Sequence, residues 1–259
     1  MKDYLKVDHI IEEKINIDNI PALLFKPKNK TGLLHTIILY HGWSSSKESQ
    51  RIRAFILCSL GYQVVVPDAI HHGERGLLDY ADPNNVRDYF WSVVFKNINE
   101  SGKIIDYTIK NNNANEDTIT VLGHSMGGFT SAGIFTHNPM VKAMVVINGS
   151  CNWAHTNSIF KDNPAFVNSV DYEEIEAKIE SLDPMNNLDK IINRPILILH
   201  GEADNVVPIG SQHLFYEKLK PMYSHKEDID FIQYPNLGHF VTTNMMEQVA
   251  IWLQNILIS

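Results

Sequence analysis

Cysteine is scarce: Cys58 and Cys151 are the only two in a chain of 259 residues. Two thiols at unrelated positions build neither a disulfide framework nor a zinc cluster. Cys58 falls in an apolar run with Phe55, Ile56 and Leu57, where it reads as a small buried hydrophobe. Positive charge is in deficit, with 22 Lys and Arg against 30 Asp and Glu and a formal net charge of −8. A duplex nucleic-acid binder needs a basic surface to neutralise phosphates, and a polybasic membrane anchor needs clustered Lys and Arg; the sequence predicts neither. No apolar run reaches the roughly 18 residues of a membrane-spanning helix. Charged residues spread through positions 1–13 interrupt any apolar core of a secretory signal, so the expected location is the cytoplasm.

What the chain does have is a 44% share of hydrophobic residues, enough for one sizeable core, and a repeating order of elements. Residues 9–15 and 22–26 read as two strands joined near Asp18-Asn19. Strand-length apolar runs follow at 36–40 (TIILY), 63–66, 118–122, 143–147 (AMVVI), 195–199 (PILIL) and 230–234. Helical patterns lie between them at 49–60, 126–137 and 211–219, and a terminal amphipathic helix at 245–257. From Val86 to Ile109 apolar residues recur at 3-4 spacing, which marks one long helix facing a core. Uninterrupted apolar strands alternating with helices indicate an α/β fold, a mostly parallel sheet covered on both faces, with the opening hairpin adding antiparallel strands at one edge. A single domain over 1–259 is expected. Residues 151–190 break the order. They separate two sheet strands, hold a charge-rich helical stretch at 171–182, and carry the scattered aromatics Trp153, Phe160 and Phe166. A connection of that length is expected to be a small cap or lid.

The strongest chemical signal is Gly123-His124-Ser125-Met126-Gly127-Gly128, directly after one strand and directly before a helix. A serine on so sharp a turn takes a strained backbone conformation and projects its hydroxyl above the sheet, and the flanking glycines leave room for the turn. The helix N-terminus offers N–H groups and a positive dipole end to a developing oxyanion. Ser125 is therefore the candidate nucleophile. It needs a base, and the base needs an orienting carboxylate. In an open parallel sheet such groups sit just past the C-terminal ends of strands. PILIL runs into His200-Gly201-Glu202-Ala203-Asp204, and the strand at 230–234 runs into Gly238-His239. Glu202 and Asp204 both stand where an acid is needed. The His124 ring is expected to point away from the serine, and His200 to pack locally.

These motifs resemble the α/β-hydrolase superfamily in its dienelactone-hydrolase and prolyl-oligopeptidase-like branch, with a pattern similar to small bacterial carboxylesterases. The resemblance runs from about Thr36 to the C-terminus, in the chain order serine, acid, histidine. His200-Gly201, Asp204 and Val207-Pro208 are similar to the branch's acid motif, which implies Asp204 rather than Glu202, and Gly238-His239 is similar to its histidine motif. The implied triad is Ser125, Asp204 and His239. His41-Gly42-Trp43 resembles the branch's oxyanion loop, which implies a hole formed by the Trp43 and Met126 backbone N–H groups, with His41 and Gly42 shaping the loop. Asp68, His71, His72 and Glu74 invite a metal reading. The stretch through Arg75, however, resembles a D-x-x-x-H-G-x-R loop of these esterases that holds no metal, so neither metal nor cofactor is expected.

The implied activity is cleavage of small or short-acyl carboxylic esters through an acyl-enzyme, with a small-molecule ester as the partner. Trp43, Trp153 and Phe160 are the candidate pocket lining, whereas Tyr89, Phe90 and Phe95 at helical spacing are expected mainly in the core. A peptidase or an acyltransferase would use the same triad, although 259 residues leave no space for the large extra domain of oligopeptidases. The alternative from another class is a non-catalytic binding protein on this fold; three filled triad positions favour the enzyme. Nothing in the sequence bears on oligomeric state.

Overall fold

The computed structural model describes residues 6–162 and 172–258, so Phe166 and Asp171 lie outside the described residues. Eight strands, β1 (Ile10–Ile17), β2 (Ile20–Pro27), β3 (Leu34–Tyr40), β4 (Gln63–Pro67), β5 (Ala114–His124), β6 (Val141–Ile147), β7 (Ile196–Gly201) and β8 (Ile229–Tyr234), form one sheet in the order β1-β2-β4-β3-β5-β6-β7-β8. β1 pairs with β2 and β2 with β4 antiparallel; every other pairing is parallel. The β1–β2 turn puts Asp18 and Asn19 at φ 47° and 67°, the left-handed pair that a two-residue hairpin needs.

Seven helices accompany the strands among the described residues: α1 (Arg51–Ser59), α2 (Pro83–Asn112), α3 (Met126–His137), α4 (Trp153–Lys161), α5 (Tyr172–Leu182), α6 (Gly210–Leu219) and α7 (Thr243–Ile258). None is long and apolar enough to cross a membrane. Alternate residues of the central strands enter two separate cores. Ile38, Val121, Met144, Val146 and Ile198 pack on one side with Ile104 and Ile105 of α2, Phe135 of α3 and Phe215 of α6. Leu39, Leu122, Val145, Ile147 and Leu199 pack on the other with Leu57 of α1 and Val249 and Leu253 of α7. That two-sided burial is why the strands read as unbroken apolar runs. Each fully buried Val, Leu or Ile contributes about 1.5–3 kcal/mol.

Two elements depart from the sequence reading. β5 begins at Ala114, because Ala114 pairs with Leu34 across a register shift that the polar Asn115, Glu116 and Asp117 conceal. The 151–190 interval holds a helix, α4, where only scattered aromatics had stood out; the Asn152 side chain caps it by accepting the His155 N–H. Because the strands run parallel, the C-terminal ends of β3, β5, β7 and β8 open on one edge of the sheet, and the chemistry gathers there.

Candidate active site

The turn from β5 into α3 is tight enough to dictate its glycines. A Cβ at Gly123 would overlap the Gly127 carbonyl, and one at Gly127 would overlap the Tyr40 carbonyl. Between them Ser125 sits at φ 57°, ψ −125°, a conformation that costs a side chain about 1–3 kcal/mol and persists only where the surroundings enforce it. The Ser125 N–H donates to the Ile147 carbonyl at 3.0 Å, tying the turn to the end of β6. Its hydroxyl is left pointing out of the sheet.

Ser125 Oγ lies 2.8 Å from His239 Nε2, and His239 Nδ1 lies 2.6 Å from Asp204 Oδ2. The carboxylate accepts at Nδ1, so Nδ1 carries the proton and Nε2 is free to accept from the serine. Asp204 is buried, and its other oxygen accepts the Val206 and Val207 N–H groups, each at 2.9 Å. Burial alone would raise the Asp204 pKa, but the hydrogen bonds from His200, His239 and Val207 outweigh it and hold the carboxyl below the usual carboxylate range. Glu202, the rival acid, is exposed. His200 is fully buried behind Asp204, with Nε2 2.8 Å from the Val207 carbonyl and 3.4 Å from Asp204 Oδ2, so its local packing braces the acid loop. Asn148, just past β6, joins the end of β7 to the loop that carries His239, and the sequence reading does not single it out. Its Oδ1 accepts the Gly201 N–H and its Nδ2 donates to the Phe240 carbonyl, beside His239, both at 3.0 Å.

The loop after β3 lies directly against the elbow: a Cβ on Gly42 would stand 3.2 Å from Ser125 Cβ. Met126 is the first residue of α3, and its N–H lies outside the helical ladder. His41 is buried and spans two loops. Its Nε2 accepts the Ala69 N–H at 3.0 Å, so Nδ1 donates to the Gly42 carbonyl at 2.9 Å. Beyond it, the Lys47 Nζ donates to buried Asp68 at 2.6 Å and to Glu74 at 3.0 Å, while Asp68 also accepts the Lys47 and Glu74 N–H groups. Burial would lower the Lys47 pKa; Asp68, Glu48 and Glu74 reverse that and hold it above its ordinary value. Arg75 pairs with Glu100 through two bonds of 2.7 and 2.8 Å. The carboxylates of this loop are thus engaged with cations, and no group of three or more His, Cys, Asp or Glu with metal-binding arrangement occurs among the described residues.

A model of the prolyl oligopeptidase family matches residues 92–257, well over half of the chain. The chain belongs to the prolyl oligopeptidase family. Esterase YjfP of Escherichia coli (strain K12) is 30% identical over 202 residues, covering 76% of this chain and 79% of its own. YitV of Bacillus subtilis (strain 168), a protein whose name places it among esterases, is 29% identical over 256 residues, covering 95% and 98%. The crystal structure of TT1662 from Thermus thermophilus shares the fold, with a TM-score of 0.82 at 18% identity over 96% of this chain and 99% of that one. The protein is a hydrolase of this family, on the α/β-hydrolase fold.

In this family member Ser125, His239 and His124 open into a cleft of about 320 Å³, walled by the 42–53 segment. Trp43 lines it; its indole N–H donates to the Tyr80 carbonyl at 3.2 Å, and its ring meets His72 and Tyr80 edge-on at 5.1 and 5.6 Å. Trp153 corrects the sequence reading. It is fully buried against Trp91, with its N–H on the Ser150 carbonyl, and lines no part of the cleft. The first residue of a helix, pinned this way under α2, has no surface to offer a substrate. Phe160 packs on Phe90 and Phe129 at 5.9 and 6.4 Å and likewise does not line the cleft. Phe90 and Phe95 are buried and Tyr89 partly so, as their spacing implied. The His124 ring lies 4.9 Å from that of His239. Burial, then His239 and Arg53 nearby, push its pKa down to about 3, so it meets the His239 ring uncharged. Arg53 and Gln50 of the wall fall within the helical pattern expected at 49–60, which does not single them out.

Proposed function

We propose that the protein is a serine carboxylesterase acting on small or short-acyl esters, with Ser125 as nucleophile, His239 as base and Asp204 as orienter. The unbroken line of hydrogen bonds from Ser125 Oγ through His239 to Asp204, at the floor of a small cleft, carries this reading. Ser125 Oγ attacks the ester carbonyl as His239 Nε2 takes its proton; the imidazolium, stabilised by Asp204, then protonates the departing alcohol. The Trp43 and Met126 amides receive the oxyanion. Water, deprotonated by His239, cleaves the acyl-enzyme and restores Ser125. The two relatives with esterase names support ester cleavage. We read residues 1–259 as one hydrolase domain whose 151–190 insertion braces α2, since Asn157 Oδ1 accepts from both Trp91 and Tyr172. Two free, buried thiols fit a reducing compartment, and the cytoplasm is the proposed location.

A series of linear acyl esters below their micelle concentrations tests the proposal. Each methylene that fits contributes about 0.8 kcal/mol of burial, so kcat/KM rises over the first few carbons and breaks once the cleft is full. A smooth rise through long chains, or activation at an interface, contradicts the short-acyl reading. No turnover of any ester contradicts the esterase reading itself.

A further inference from the structure

We propose that Arg53 selects esters bearing a carboxylate near the scissile bond, an inference that rests on the esterase reading of Ser125. Arg53 projects from α1 into the wall of the cleft that holds Ser125 and His239, and no Asp or Glu lines that cleft. The other arginines are committed elsewhere. Arg51, Arg75 and Arg87 pair with Glu12, Glu100 and Asp88, and Arg194 donates to backbone carbonyls over the Phe135 ring. Arg53 has no carboxylate within salt-bridge reach among the described residues; its one protein acceptor is the neutral Gln50 Oε1. Gln50 in turn donates to Ser45 Oγ at 3.0 Å, so the guanidinium is held in place with most of its five donors unspent.

The charge balance of the cleft points the same way. His124 is neutral, and the negative charge of Asp204 is buried behind His239 and already bonded to two backbone amides. Arg53 is then the fixed positive charge facing the substrate, in a chain whose net charge is −8. A planar fork of this kind matches a carboxylate through paired, charge-assisted hydrogen bonds. Ser44, Ser45 and Ser49 on the same wall add polar groups rather than an apolar sleeve for a hydrocarbon chain. If Arg53 served only to hold Gln50, any donor of similar length would replace it and the charge of the substrate would be immaterial.

The test compares kcat/KM within two pairs of esters that differ in charge. Monoethyl glutarate and ethyl pentanoate place the carboxylate on the acyl side; acetoxyacetate and propyl acetate place it on the alcohol side. The wild type is expected to favour the anionic member of at least one pair by about tenfold or more, with the preference shrinking as ionic strength rises. Arg53→Gln abolishes that preference and Arg53→Lys retains part of it. Equal or better turnover of the neutral member in both pairs overturns the inference, as does a preference that Arg53→Gln leaves intact. Should Arg53→Gln not fold, the wild-type ratio and its salt dependence decide alone. Failure of the wild type on all four esters removes the esterase reading with it, whereas neutral turnover without charge preference removes only this inference.

Discussion

Replacing Asp204 with asparagine keeps the shape of the side chain and reverses what it asks of His239. One oxygen must remain on the Val206 and Val207 N–H groups, because turning the amide NH₂ towards them would leave two buried donors facing a donor. The amide nitrogen then faces His239 Nδ1, now 2.6 Å from Asp204 Oδ2, and can only donate. Nδ1 has to accept, so the imidazole proton moves to Nε2, where it faces Ser125 Oγ and cannot take the serine proton. The same substitution in the serine-protease template costs about 10⁴-fold in kcat, or about 5.5 kcal/mol at about 1.36 kcal/mol per decade. The expectation here is a loss of that order in short-ester hydrolysis, with circular dichroism and the urea midpoint showing a folded protein. Glu202→Gln, on an exposed side chain of the same loop, should change kcat by less than about threefold. A folded Asp204→Asn protein within about tenfold of wild type, or a Glu202→Gln protein that loses more, would refute the tautomer argument and move the acid.

Other perturbations probe the scaffold. Lys47→Met strands the fully buried Asp68 carboxylate and should cost about 3–5 kcal/mol in urea unfolding, because removing one partner leaves an uncompensated charge; a loss under about 1 kcal/mol would show that the pair does not hold the loop. Gly102 lies exposed in α2, where an added Cβ would meet nothing within 4 Å, so Gly102→Ala should stabilise by about 0.5–1 kcal/mol, and a destabilised variant would contradict that reading of α2. Stability should also fall in acid. Burial lowers the pKa of His72 to about 4 and of His124 to about 3, so the unfolded chain binds more protons than the folded one below its ordinary histidine value of about 6.5. Their contribution is intact above that value and is lost progressively as pH falls towards 4, which a urea midpoint constant across that window would contradict.

The chemistry was most legible where covalent geometry forces residue choice. The elbow admits only glycine at 123 and 127, because any Cβ there meets backbone, and that requirement is visible as a string beside a strand and a helix. Asp204 and His239 stand out as candidates because parallel strands deliver their ends to one edge, and the resemblance to the acid motif favours Asp204 over Glu202. What stayed hidden depends on tertiary contact. Trp153 looked like a pocket aromatic, since no pattern tells an exposed loop tryptophan from one whose N–H is satisfied at Ser150 beneath a helix. Asn148 bridges β7 and the His239 loop from a position that reads as a plain strand end. Arg53 stands between Ile52 and Ala54 on a short helix, where its sequence neighbours do not reveal that its side chain turns into the cleft.

The central claim is that Ser125 is the nucleophile, and covalent capture tests it most directly. The folded wild-type protein is treated with a fluorophosphonate and digested, and the adduct is located by mass spectrometry. The strained elbow and the 2.8 Å bond to His239 Nε2 predict one phosphonyl group per chain, on Ser125, formed in step with the loss of ester hydrolysis. Ser125→Ala should remain folded, take up no label and lose on the order of a thousandfold or more in kcat. A stoichiometric adduct on another residue, or near-wild-type turnover by the folded Ser125→Ala protein, would contradict the account.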